Sequence, residues 1–191
     1  GKTLVCFEYL SLRENKDDIV ARHEDPNDEG QTVYFPTLGT MLTDGKGSHE
    51  LTADELVELV DEVSYTNLVP HQSYVIVGTL MNKETGEALL GNDGQAIRRE
   101  VSFTPTEPNG RERVTFSVSG EVAATKTIVA FEQLKRNDAV LARHEDLDDA
   151  AQTVTVGPIP TTKRTSKLAK SGTNQQTKDN TTPSPSKGND S

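Results

Sequence analysis

Arg143-His144-Glu145-Asp146-Leu147-Asp148-Asp149-Ala150-Ala151-Gln152-Thr153-Val154 has a counterpart near the start of the chain, Arg22-His23-Glu24-Asp25-Pro26-Asn27-Asp28-Glu29-Gly30-Gln31-Thr32-Val33. Both copies keep a His, an Asp five residues on, a Gln three further and a Thr-Val exit, while the residues between differ. The polar set is repeated and its spacers are not. Each copy also follows an apolar run ending in Phe-Glu, Leu4-Val5-Cys6-Phe7-Glu8 in one case and Ile128-Val129-Ala130-Phe131-Glu132 in the other. The repeated unit is therefore longer than one loop. It lies at residues 1–33 and again at 124–154, and the first copy lacks most of what precedes the second. The reading is a partial unit over residues 1–35, a complete unit over 36–157 and a tail over 158–191.

Composition narrows the class. The 191 residues are 32% hydrophobic and 5% aromatic with no Trp, which suits a small sandwich better than a large enzyme core. A net charge of −10 argues against nucleic acid or membrane contact by this segment, since nucleic acid and anionic membranes both call for a basic face. The single Cys6 has no partner for an internal disulfide and stands where the second copy has Ala130, so it reads as a small buried residue.

Along the chain, residues 1–10 read as a strand, 11–18 as a charged turn and Ile19-Val20-Ala21 as the start of a returning strand. Pro36 closes the partial unit. Residues 53–63 are ambiguous, because Leu56, Leu59, Val60 and Val63 also fit helical spacing; the β-formers around them and the turn at Asn67-Leu68-Val69-Pro70 favour a strand over residues 56–65. Further strands are expected at 73–80, 88–90, 95–104, 111–118 and 125–134, the last followed by a turn at 135–138 and a strand at 139–143. Short strands with regular turn signals indicate an all-β, antiparallel β-sandwich. Beyond Gly157, Thr, Ser, Lys, Asn and Pro dominate, a composition expected to be disordered.

Val60-Asp61-Glu62-Val63-Ser64-Tyr65-Thr66-Asn67-Leu68, then Gly78-Thr79-Leu80-Met81-Asn82-Lys83-Glu84-Thr85-Gly86, then Val129-Ala130-Phe131-Glu132, then the loop from His144 to Val154 together resemble the T-Q ester-bond domain. These domains, also called VaFE repeats, occur in tandem in wall-anchored adhesins of Gram-positive bacteria. The resemblance implies an immunoglobulin-like sandwich in which a first-strand Thr is joined autocatalytically to a last-strand Gln. By the same resemblance the Thr falls on Thr40, with Thr37 and Thr43 as neighbouring alternatives and Met41-Leu42 as a departure from pattern. The Gln falls on Gln152, the assisting His and Asp on His144 and Asp149, and the acidic pair on Asp61 and Glu132, with Glu112 as another acid near the core strands. Glu8, His23, Asp28 and Gln31 are the partial-unit equivalents, and Gln31 is expected to stay unreacted. The implied setting is extracellular, on the bacterial cell wall, with neighbouring repeats of the same chain as partners; a host ligand would be met through other domains.

The chemistry also follows from the residue types. A Gln carboxamide is a poor acyl donor and a Thr hydroxyl a poor nucleophile, so joining them requires a fixed approach, a base and an acid. Histidine is the side chain best suited to carry protons near neutral pH, which makes His144 the natural proton carrier here. Glu132 shares a strand face with Ile128 and Ala130, which would bury its carboxyl, raise its pKa and let it polarise the amide. No metal or cofactor is expected: the Asp-rich loops lack the Gly and terminal Glu of an EF-hand, and no second His or Cys lies near His144 for zinc. His49 and His71 sit in polar turns and are expected to be solvated. Turnover enzymes are disfavoured, because Thr40 and Gln152 would be consumed in one reaction. The rival reading is a non-crosslinked immunoglobulin-like ligand-binding module. In the tail, Leu168-Ala169-Lys170-Ser171-Gly172 is similar to a sortase sorting pentapeptide, with Ala and Ser where Pro and Thr are usual, and a plain linker is the alternative.

Overall fold

A computed structural model describes residues 1–160. The partial unit contributes β1 (Lys2–Val5), β2 (Glu8–Ser11), β3 (Ile19–His23), a 3-10 turn (Glu29–Gln31) and β4 (Thr32–Phe35). Residues 1–10 are thus two strands rather than one: β1 pairs with β4 and β2 with β3. Pro36 alone separates β4 from the complete unit, which runs β5 (Thr37–Thr43), β6 (Glu50–Leu51), β7 (Leu56–Thr66), β8 (Tyr74–Asn82), β9 (Glu87–Ala88), β10 (Arg98–Phe103), β11 (Gly110–Ser119), α1 (Gly120–Ala123), β12 (Thr127–Arg136), β13 (Ala139–His144), a 3-10 turn (Ala150–Gln152) and β14 (Thr153–Val156).

The complete unit is an immunoglobulin-like β-sandwich. One sheet has the order β11-β7-β5; the other has the order β10-β8-β12-β14-β6, with β9 added to β8 and β13 to β12. Strand β12 organises the second sheet. One edge follows β8 along its length, while the other takes β14 over residues 127–129 and β13 over residues 132–136. All pairings are antiparallel except β14 with β6, a parallel departure from the expected pattern. The β12–β13 turn is tighter than residues 135–138: Asn137 and Asp138 both have positive φ, 48° and 66°, the two-residue geometry that suits the strand twist.

The first and last strands thereby lie in opposite sheets. β7 settles its ambiguity as a strand because Val57, Leu59, Asp61, Val63 and Tyr65 alternate inward, a period that a helix would not turn to one side. They pack with Leu42, Val114 and Phe116 against Ile76, Leu80, Ile128, Ala130, Leu134 and Val154. Each large side chain in this core stabilises the fold by about 1.5–3 kcal/mol. Gly78 is required by that packing, since a Cβ there would stand 2.8 Å from the tip of the Phe116 ring.

Cys6 is exposed, contrary to its reading as a buried residue. Its counterpart Ala130 is fully buried because β12 is faced by a second sheet. The sorting-type pentapeptide at 168–172 and the expected disorder from residue 161 onward fall outside the described residues.

Candidate functional site

Strands β5, β7 and β12 and the turn before β14 each place a polar group in the apolar interior. On β7, Asp61 continues the inward stripe and pairs with Leu42 of β5 and Val114 of β11. Thr40 stands two residues from Leu42 on the same face of β5. Glu132 takes the inward place between Ala130 and Leu134 on β12, opposite Gly78 and His144 in the neighbouring strands. Gln152 ends the 3-10 turn that leads into β14. Asp61, Glu132 and Gln152 are all 0% exposed.

Gln152 Nε2 donates to Glu132 Oε2 at 2.6 Å. Thr40 Oγ1, both Asp61 carboxyl oxygens, Glu132 Oε1 and Gln152 Oε1 are buried with no hydrogen-bond partner. Even so, Asp61, Thr40 and Gln152 all lie close enough to Glu132 to alter its proton affinity. A group of neighbours held short of full hydrogen bonding is costly in a core and needs a reason, since unpaired buried polar groups are rare.

Burial first, and Asp61 beside it second, together push the Glu132 carboxyl up to about 11. Glu132 is therefore protonated at neutral pH. Burial also raises Asp61, but Glu132, the Met41 amide and the charge of His144 pull it back. When the pair holds a single proton, that proton belongs on Glu132.

Next to the pair, His144 Nε2 lies 2.9 Å from Asp149 Oδ2. Asp149 also caps the 3-10 turn, its Oδ1 accepting from Ala151 N at 2.8 Å, and its carbonyl accepts from Thr153 Oγ1 at 2.6 Å. One carboxylate thus orients the imidazole and fixes the turn that presents Gln152. In the partial unit, His23 Nε2 lies 2.8 Å from Asp28 Oδ2, Gly30 N donates to Asp28 Oδ1 at 2.7 Å and Thr32 Oγ1 to the Asp28 carbonyl at 2.6 Å. Glu8 pairs with His23 in register as Glu132 does with His144, yet Glu8 is exposed and Gln31 half-buried.

The alternatives lie elsewhere. Thr37 is exposed, its hydroxyl 2.7 Å from that of Thr66. Thr43 is on the face away from Thr40, and its hydroxyl accepts from Gly45 N. Glu112 is half-buried near Tyr65, whose hydroxyl pKa is raised by burial first and by the Glu112 charge second. His71 is exposed, but His49 is not a solvated turn residue. Its Nδ1 lies 2.9 Å from the Thr153 carbonyl and its own carbonyl accepts from Thr155 N at 2.8 Å, so it ties down the strand that follows Gln152. That role depends on the β6–β14 pairing between distant segments, and no local pattern announces it.

Fold and site define a class: a β-sandwich whose two sheets carry, in the seam between them, a buried hydroxyl, an amide and two carboxyl groups. The chain matches the family described as T-Q ester bond containing domain twice, at residues 1–35 and 36–156, and it belongs to that family. Among solved structures it is similar to a bacterial adhesin from Mobiluncus mulieris that contains intramolecular disulfide, isopeptide and ester bond cross-links. Two crystal forms align with TM-scores of 0.52 and 0.53 at 20% and 18% identity, over 64% of this chain. The chain spans 57% of the length of each of those adhesin chains. No curated protein matches it. Among the described residues no helix is long and apolar enough to cross a membrane.

Proposed function

We propose that residues 36–157 form a stalk or spacer module of a bacterial surface adhesin, in which the Thr40 hydroxyl and the Gln152 carboxamide join once, autocatalytically, as an ester. The observation that carries this reading is the buried Gln152 amide held on a protonated Glu132 beside an unpartnered Thr40 hydroxyl.

In the proposed step Thr40 Oγ1 attacks Gln152 Cδ, and the Cδ–Nε2 bond breaks. Asp61, favoured in its ionised form by His144, takes the hydroxyl proton; Glu132 gives its proton to the departing nitrogen. Ammonia leaves and the acid pair again holds one proton, so the groups that assist are restored while Thr40 and Gln152 are spent. The sequence suggested that Glu132 polarises the amide, but its contact runs to the nitrogen, which suits proton delivery to the leaving group. With the reacting groups this deeply buried, water is kept from the ester once it exists.

A bond from β5 to the turn that leads into β14 would join the two sheets at the ends of the unit. Tension applied at the termini would then load a covalent link in place of the hydrogen-bond ladder. The proposed setting is the outside of the cell, in series with neighbouring repeats, with any host ligand met elsewhere in the protein. Intact mass spectrometry tests the reading: the chain is expected to lack one ammonia, and Thr40→Val and Gln152→Ala to have full mass. A wild-type chain of full mass would instead favour a plain binding module.

A further inference from the structure

The loop between His144 and Gln152 takes its shape from its own sequence. Asp148 N donates to Asp146 Oδ1 at 2.9 Å and Asp149 N to the Asp146 carbonyl at 3.3 Å. The partial unit repeats both bonds, from Asn27 N to Asp25 Oδ1 at 2.9 Å and from Asp28 N to the Asp25 carbonyl at 3.2 Å. Local bonding cannot, however, decide where the shaped loop rests on the sandwich.

That contact comes from the turn between β8 and β9. Lys83 Nζ donates to the Leu147 carbonyl and lies 3.3 Å from Asp148 Oδ1. Its backbone N–H donates to the Thr127 carbonyl at 3.0 Å, which fixes it against the start of β12. Gly86, at φ 70°, completes the turn, and a Cβ there would be 3.5 Å from Leu147 Cδ1. The turn therefore holds Leu147 through its carbonyl, with the Leu147 side chain beside the space left open at Gly86. The bond to Leu147 is partly buried, whereas the Asp148 side chain is 94% exposed, so its ion pair with Lys83 contributes little.

We propose that Lys83 is a positioning residue for ester formation, seating the loop so that Gln152 and the His144–Asp149 pair meet Thr40 and Asp61 in register. The proposal rests on the ester reading. A displacement of Gln152 by a fraction of an ångström lengthens the approach of Thr40 Oγ1 to the amide carbon, to which rates are steeply sensitive.

Ammonia loss timed by mass spectrometry during cell-free synthesis of the full chain tests it. Lys83→Met should slow the reaction by on the order of tenfold or more. Lys83→Arg, which still donates to a carbonyl, should restore most of the rate, and Asp148→Asn should match wild type. In a Thr40→Val background, where no ester forms, Lys83→Met should leave the melting temperature unchanged. Wild-type kinetics in Lys83→Met, failure of Lys83→Arg to restore the rate, or a clear loss of melting temperature in the Thr40→Val background would each overturn the positioning role. A wild-type chain that keeps its ammonia would sink the ester reading itself, while ammonia loss that is equally fast in wild type and Lys83→Met would sink only the role of Lys83.

Discussion

The two copies of the His–Asp–Gln loop share their internal geometry and differ in what surrounds them. His23 meets Asp28 at 2.8 Å and His144 meets Asp149 at 2.9 Å, with the same caps on the same kind of 3-10 turn. Yet Glu8 is exposed where Glu132 is 0% exposed, and Gln31 is half-buried where Gln152 is 0% exposed. Loop shape is a local property of about ten residues. Proton affinity is a property of the whole sandwich, because burial is the largest cause that raises the Glu132 carboxyl and Asp61 from the opposing sheet is the next, while Glu8 is exposed.

The largest expected effect separates crosslinked from uncrosslinked chains. Thr40→Val removes a hydroxyl that has no partner, so its packing cost is small, and the stability lost should approach the chain-entropy value of roughly 4–5 kcal/mol for a loop of this length. Denaturant unfolding measures it, and an unchanged midpoint would mean that the bond is absent from the wild type.

Next come the acids. Asp61→Asn and Glu132→Gln should each slow ammonia loss by at least about 10²-fold, while Glu8→Gln leaves it unchanged. An equal effect at Glu8 would erase the distinction between the copies.

A thiol reagent sharpens the same contrast. Cys6 should label readily in the native chain, and Ala130→Cys, at the equivalent buried place, should label at least about tenfold more slowly.

A further contrast is the pH dependence of the uncrosslinked chain. Because the folded state raises the Glu132 pKa, folding holds a proton that the unfolded chain releases above about 4.5, so this contribution is full at lower pH and falls as pH rises toward about 11. Thr40→Val should therefore melt at a lower temperature near pH 9 than near pH 5, and adding Glu132→Gln should flatten much of that slope.

Much of this was legible in the residues. The duplicated loop exposed the His, Asp and Gln together, whereas Asp61 came from the family resemblance alone, because the residues around it also fit helical spacing. Glu132 was readable because its even spacing from Ile128 and Ala130 put it on the apolar face. What stayed hidden depends on contacts between distant segments. The burial expected of Cys6 required an opposing sheet, the role of His49 required the parallel β6–β14 pairing, and that of Lys83 required the β8–β9 turn to meet a loop 64 residues away. The division of residues 1–10 into two strands likewise reflects partners contributed by β4 and β3 rather than any break in the apolar run.

Peptide mapping by tandem mass spectrometry tests the central claim most directly. The account predicts one branched species joining the segment that contains Thr40 to the segment that contains Gln152, with Gln31 recovered as an ordinary glutamine. Recovery of Gln152 with its carboxamide intact, or a link formed at Gln31 instead, would contradict it.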